Sequence, residues 1–241
     1  MTGAAFPGGT SVTRLNVYAD AAPDALHGGT PHLHTVSTEA YIVTAGSGEL
    51  QTLDRAGFHT AELAAGSVIW FGAGTIHRAV NHGGLEVAVI MSNAGLPEAG
   101  DAVMTFPAAV VADAARYREA ATLPDASIDR AAASAAAARR RDLAVEGFGV
   151  LRDAALAGRP EPLEEFYAAA VKLVSGRAAE WRGIWEERVL GDVSRTRSLL
   201  DELAAGRSAQ LGVSGATSAS PHDGEPKFGM CGLLRTYDIS V

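Results

Sequence analysis

Apolar residues follow two different rhythms along this chain. Across residues 11–108 they alternate or cluster in short runs, at 15–18, 41–44, 67–71 and 85–91, the spacing of strands. Gly28-Gly29, Gly46-Ser47-Gly48, Gly72-Ala73-Gly74 and Gly83-Gly84 separate the runs and admit positive φ, so each predicts a turn. Many short strands at this spacing predict an antiparallel sandwich or barrel rather than parallel strands joined by helices.

Beyond residue 110 the rhythm becomes helical. Residues 110–121 read as a short helix, and Leu123-Pro124-Asp125 breaks it. Residues 127–157 are rich in Ala, Arg and Leu and contain no proline, which makes them a strong helix former. Gly158-Arg159-Pro160 ends that helix. After it, Leu163, Phe166, Tyr167, Ala170 and Val174 share one helical face, and Trp181, Trp185 and Val189 continue at intervals of four. Leu199, Leu200 and Leu203 close the region. Such an apolar stripe must be buried, and packing on the barrel in support of a dimer is the expected arrangement. A polar stretch covers 207–226, and 228–241 reads as an extended strand that returns to the barrel or crosses to a partner subunit. The pattern divides the chain into a mainly β part, 1–108, and a helical part, 109–241, with a terminal strand.

Composition narrows the partners. With 47% hydrophobic and 20% charged side chains, the 241 residues can build a sizeable core. The net charge of -8 argues against a nucleic-acid partner, which would need clustered positive charge. Arg139-Arg140-Arg141, beside Asp142 and Glu146, is expected to form a solvated helix face. Cys231 is the one cysteine, so there is no intrachain disulfide and no multi-cysteine zinc site; a reducing cytoplasm fits, with Cys231 an inert buried thiol. Residues 1–13 have neither a basic start nor a continuous apolar run, so no signal peptide is expected. No stretch approaches the roughly 18 apolar residues that span a bilayer, and no membrane partner is expected.

The candidate chemistry lies in residues 30–46. His32 and His34 sit at i and i+2, which on a strand puts both imidazoles on one face. Glu39 follows His34 by five residues, an odd offset, so Thr35, Ser37 and Thr38 must make a turn or bulge if Glu39 is to join them. Tyr41 and Val43 share the parity of Glu39 and are read as packing residues. His77 lies far along the chain, after the glycine turn at 72–74. Imidazoles with a carboxylate suit a divalent iron, manganese, nickel, cobalt or zinc ion. His27, His59, His82 and His222 lie outside this spacing and are read as ordinary core or surface histidines, and Trp181 and Trp185 as helix-packing residues.

These residues resemble the cupin family. Its first motif runs His-x-His, three or four residues, Glu, six residues, Gly, and His32, His34, Glu39 and Gly46 match it. Its second runs Gly, five residues, Pro-x-Gly, two residues, His, three residues, Asn, and Gly66, Gly74, His77 and Asn81 keep every spacing. Gly72 stands where the family usually has proline, and Leu26 where the first motif usually has its leading glycine. The resemblance covers about residues 11–108. It implies a double-stranded β-helix, or jelly-roll barrel, holding one divalent metal on His32, His34, Glu39 and His77, with Glu39 also able to accept a proton.

Cupins host many reactions, so the resemblance leaves function open. A metal-dependent enzyme acting on a small organic substrate, of the oxygenase or dioxygenase kind, is the leading expectation. A sugar or sugar-phosphate isomerase ranks behind it, because Arg14, Arg55 and Arg78 are the only basic residues (Lys or Arg) between 11 and 108. A non-catalytic binding or sensory cupin ranks third, since residues 109–241 show no basic recognition helix. A cytoplasmic homodimer completes the expectation, the partner covering sheet edges that would otherwise invite aggregation.

Overall fold

The structure, a computed structural model, describes residues 6–213 and 215–239. Residues 1–5, part of the segment read above for a signal peptide, lie outside the described residues, as do 240 and 241 at the end of the terminal strand segment. Strands β1 (Ser11–Val17), β2 (His32–His34), β3 (Glu39–Asp54), β4 (Gly57–Ala64), β5 (Val68–Phe71), β6 (Ile76–Met91) and β7 (Ala102–Met104) come first. Helices α1 (Ala108–Val111), α2 (Ala114–Ala121), α3 (Arg130–Leu156), α4 (Glu161–Val174), α5 (Ala178–Trp185) and α6 (Gly191–Ala204) follow, and β8 (Lys227–Phe228) and β9 (Gly232–Thr236) end the chain.

Strands β3 and β6 each serve two sheets. Glu39 to Val43 pair with Val87 to Met91 and with β5, while Gly48 to Leu53 pair with Ile76 to Asn81 and with β4. The first sheet is therefore β5-β3-β6-β1-β9-β8, and the second is β4-β3-β6-β2-β7. The two face each other as a double-stranded β-helix. Tyr41, Val43, Leu50, Leu63, Leu85 and Val87 fill the space between them.

Here the structure corrects two expected turns. Gly46-Ser47-Gly48 and Gly83-Gly84 do not end their strands; they lie inside β3 and β6, where the pairing register shifts. Both strands pass from one sheet to the other at this point, and the bulge supplies the bend. Gly46 has φ +70, and a Cβ there would stand 2.2 Å from the Gly84 carbonyl oxygen, so only glycine lets the strands cross this closely. Asn81 secures the same corner: its Oδ1 accepts from the Gly83 and Leu85 N–H groups, and its Nδ2 donates to the Val17 carbonyl.

The helices cover the outer face of the second sheet. Leu33, Leu53, Ile76 and Val103 point out from it and pack with Phe106, Phe148, Leu151, Leu163 and Phe166. The single helix expected at 110–121 is two, because Asp113 leaves the helical conformation and caps α2 by accepting from the Ala115 and Arg116 N–H groups. Helix α3 is capped in the same way by Asp129. Its approach to the barrel depends on Gly147, where a Cβ would fall 2.0 Å from the Thr105 carbonyl oxygen.

The arginine triplet is a further correction. Arg139 is exposed, but Arg140 and Arg141 are buried. Arg141 donates to the Asp20 and Ala21 carbonyls, and Arg140 to the Gly229 carbonyl. Charge at these positions satisfies backbone oxygens of loops that no strand reaches, and so ties α3 to both ends of the chain. The terminal segment returns to its own barrel, with β9 antiparallel to β1 from Thr13–Thr236 to Val17–Gly232. Among the described residues no helix is long and apolar enough to cross a membrane.

Candidate metal centre

Strand β2 turns His32 and His34 inward and Leu33 outward, as alternation requires. His77 enters directly opposite His32 in the neighbouring strand. Glu39 opens β3 in the facing sheet after a polar turn at residues 35–38. Asp101 and Ser92 pin that turn. The Thr35 N–H donates to the Asp101 carbonyl at 2.9 Å, the Ser37 N–H to Asp101 Oδ2 at 3.1 Å, and the Thr38 N–H to Ser92 Oγ at 2.8 Å. The turn removes the odd offset and brings Glu39 to the histidines.

Each imidazole is oriented through Nδ1. His32 Nδ1 donates to the Thr30 carbonyl at 2.8 Å, His77 Nδ1 to the Thr75 carbonyl at 3.2 Å, and His34 Nδ1 to Asp101 Oδ1 at 2.6 Å. All three Nε2 atoms are then left for the interior, the arrangement in which outer partners set the tautomer of metal-binding histidines. Glu39 Oε2 lies 3.1 Å from His77 Nε2 and 3.3 Å from His34 Nε2. Yet Glu39 Oε2 and His77 Nε2 are buried without a hydrogen-bond partner. Unpaired buried polar atoms are costly, and an ion between them would satisfy both.

The four donor atoms lie within 4.8 Å of one another. Bonds of about 2.1 Å to a central ion place adjacent ligand atoms about 3.0 Å apart and opposite ones about 4.2 Å apart, so a slight contraction seats a first-row divalent ion. His32, His34, Glu39 and His77 therefore form a buried group that could hold a metal. Among the described residues it is the one such group of three or more, and His27, His59, His82 and His222 stand outside it.

The charges are unequal. Burial and the neighbouring His77 and His34 push His32 well below its ordinary value, so it stays neutral. Burial also opposes a charge on His34, but its hydrogen bond to Asp101 and the Glu39 carboxylate beside it outweigh it and lift His34 to about 10. Burial alone would raise the Glu39 carboxyl; His77 and His34 beside it hold it well below the usual carboxylate range.

A pH dependence follows from His34. A metal needs its Nε2 lone pair, so at pH 7.5 binding must displace a proton. Calorimetry in buffers of different ionisation enthalpy should show about one proton released per ion, with affinity rising roughly tenfold per pH unit between 7 and 9. Uptake without proton release would show that His34 is already neutral.

A cavity of about 200 Å³ opens beside His32, His34 and Glu39, whereas His77 is fully buried and does not line it. Leu15, Val89, Met91 and Leu234 of the first sheet line it, with Met230 and Cys231 from the loop before β9. No lysine or arginine reaches it. Tyr41 packs below, donating to Cys231 Sγ at 3.6 Å, and burial pushes the Cys231 thiol up to about 12, which keeps it neutral and inert. The sequence reading did not find Asp101 or the C-terminal wall. A lone aspartate ahead of a three-residue strand has no spacing signal, and Met230 to Leu234 read only as an apolar segment.

Residues 19–93 match the cupin domain family. No curated protein matches. Among solved structures, a conserved protein with a double-stranded β-helix domain from Klebsiella pneumoniae is 17% identical, covering 34% of this chain and 64% of that one, with a TM-score of 0.27. Vicilin from Solanum lycopersicum (tomato) is 20% identical over 40% of this chain and 25% of its own, with a TM-score of 0.32. A variant of Streptomyces PAC13 with uridine is 16% identical over 41% of this chain and 69% of its own, with a TM-score of 0.30. The chain thus spans less than two thirds of the first of these structures and a quarter of the second.

Proposed function

From the premise that residues 19–93 are a cupin domain, we propose that the protein is a metal-dependent enzyme that oxygenates a small, uncharged organic substrate. One observation carries the reading: of the four converging donors, His32, His34 and Glu39 line a 200 Å³ cavity that is otherwise largely apolar and has no cationic side chain. A phosphorylated sugar or a small dianion would have only the metal ion as counter-charge, with no Lys or Arg on the wall and the Glu98 carboxylate against it, so an uncharged substrate is the better fit.

In this proposal His32, His34, Glu39 and His77 hold one ion of iron, nickel, manganese, cobalt or zinc. Bound there, a redox-active member of that set supplies a Lewis acid and access to dioxygen chemistry. The chain's own residues do the rest. Leu15, Val89, Met91 and Leu234 take the substrate's apolar body and exclude water. Glu39 is the ligand that can accept a proton from substrate, through the carboxylate oxygen that does not hold the ion; its depressed carboxyl makes it a weak base, so ligation is its main work. Residues 1–108 supply the ligands, and residues 109–241 supply a wall of the cavity through Met230 to Leu234.

Protein purified without added metal should contain about one first-row ion per chain. Loaded with iron or nickel, it should consume oxygen in the presence of small uncharged molecules bearing two adjacent oxygen donors, and a chelator should stop the uptake. A metal-loaded protein that isomerises neutral carbonyl compounds and consumes no oxygen would replace this reading with the isomerase.

A further inference from the structure

The cavity beside the ligands has a polar end that neither the metal group nor the core employs. Strand alternation turns Ser11, Thr13, Leu15 and Val17 of β1 inward, and Leu234 and Thr236 of β9. Leu15, Val17 and Leu234 pack in the core between the sheets, and a closed interior calls for apolar residues at the other three positions as well. Instead Ser11, Thr13 and Thr236 line the cavity as hydroxyls. The register sets Thr13 between Val89 and Thr236, and Ser11 beside Met91, so the three form one cluster across β1 and β9.

Threonine suits a strand on either face, but a hydroxyl turned to an apolar interior ordinarily takes a partner. Among the described residues none of the three hydroxyls has one, although Ser11 is only 8% exposed. Glu98 adjoins Ser11, with which it also lines a neighbouring cavity. Its Oε2 accepts from the Gly95 N–H at 2.8 Å, while Oε1 is unengaged among the described residues.

We infer that this cluster is a specificity subsite that receives an alcohol hydroxyl at the end of the substrate remote from the ligands. The inference rests on the proposed reading of the metal centre and adds the other end of its substrate. Serine and threonine hydroxyls donate and accept, whereas a carboxylate only accepts. An alcohol matches that set: its oxygen accepts from one hydroxyl while its own hydrogen goes to another oxygen, Glu98 Oε1 among them. An ammonium offers the three hydroxyls nothing to donate to, and a carboxylate meets the charge of Glu98. A methyl group leaves the whole set unpaired, at the cost that desolvated polar groups bear.

The register also sets the span. Glu39, Met91 and Ser11 lie in one row on three adjacent strands, which at about 4.8 Å per strand puts Ser11 about 10 Å from Glu39 between Cα atoms. Met91 and Val89 fill the interval. The matching substrate is short, with adjacent oxygen donors at one end, an apolar middle and a hydroxyl at the other.

Titration calorimetry of the zinc-loaded full chain with paired chelators tests this. 5-Hydroxypentanohydroxamic acid and hexanohydroxamic acid are uncharged, equal in length, and differ in ending on a hydroxyl or a methyl. Pairs one carbon shorter and one carbon longer bracket the span. In at least one pair the hydroxyl compound should bind at least about tenfold tighter. Thr13→Val, close to isosteric, should bring that preference below about threefold and leave the affinity of the methyl compound unchanged. Ser11→Ala should act the same way and decides the matter if the first variant misfolds. Thr44→Val, exposed on the outer face, should keep the preference. Equal binding within every pair, or a preference that survives both inner substitutions, overturns the subsite and leaves the metal centre standing. Tighter binding of 5-aminopentanohydroxamic acid than of the hydroxyl compound also overturns it, in favour of an ammonium beside Glu98. A zinc-loaded chain that binds none of these compounds overturns the reading of the metal centre and the subsite with it.

Discussion

His77→Ala is expected to lower bound metal from about one ion per chain to less than about a tenth, and to abolish any metal-dependent activity with it. His77 is fully buried, its Nε2 has no hydrogen-bond partner, and Glu39 Oε2 stands 3.1 Å away. Alanine at this position removes one of four donors and also leaves the Glu39 carboxylate without its nearest imidazole. Buried groups that lose a partner bear the full cost of desolvation, so the remaining three ligands are also less well held. His82→Ala, outside the group, should bind metal as the wild type does. Elemental analysis of both variants, purified side by side and checked for native secondary structure, reads the outcome directly. A folded His77→Ala protein with a full complement of metal would mean that the ion sits elsewhere or that three ligands suffice.

The barrel was legible because its signals are local. Alternation marks strands, and His32, His34, Glu39, His77, Gly46, Gly66, Gly74 and Asn81 keep the spacing of the two cupin motifs, a resemblance that implies the double-sheet barrel. Even the turn at residues 35–38 could be required in advance, since Glu39 has the wrong parity without it. The glycines at 46, 48, 83 and 84 were misjudged for a physical reason. Positive φ serves a turn and a bulge equally well, and sequence alone does not say whether a strand ends or merely bends.

What stayed hidden depends on contacts between distant segments. Arg140 and Arg141 have acidic neighbours in sequence and look solvated, yet they lie buried on carbonyls of Asp20, Ala21 and Gly229, some ninety to one hundred and twenty positions away. The C-terminal strand shows apolar residues but not the partner strand they choose. The apolar stripe of the helices was expected to be buried throughout. Leu163, Phe166 and Ala170 are, whereas Leu199, Leu200 and Leu203 on α6 remain exposed because that helix packs only near the N-terminal segment.

Asp101 is the most consequential residue in this hidden class, and Asp101→Asn is expected to cost about ten- to a hundredfold in metal affinity. Asp101 is fully buried and does two things at once: Oδ1 accepts from His34 Nδ1 at 2.6 Å, and Oδ2 accepts from the Ser37 N–H at 3.1 Å. The first contact aims an imidazole, and the second holds the turn that delivers Glu39. An asparagine amide has one acceptor oxygen, so it serves either His34 or Ser37 and presents an N–H group to the other. Two readouts separate this positioning role from a general loss of stability. Without the carboxylate, His34 loses the partner that lifts it to about 10, so proton release on metal binding at pH 7.5 should fall well below one. Metal-free Asp101→Asn should retain native secondary structure, because the core between the sheets is untouched. A variant that binds metal with wild-type affinity and wild-type proton release would leave Asp101 as a structural residue of the loop, and His34 would then be oriented by its strand alone.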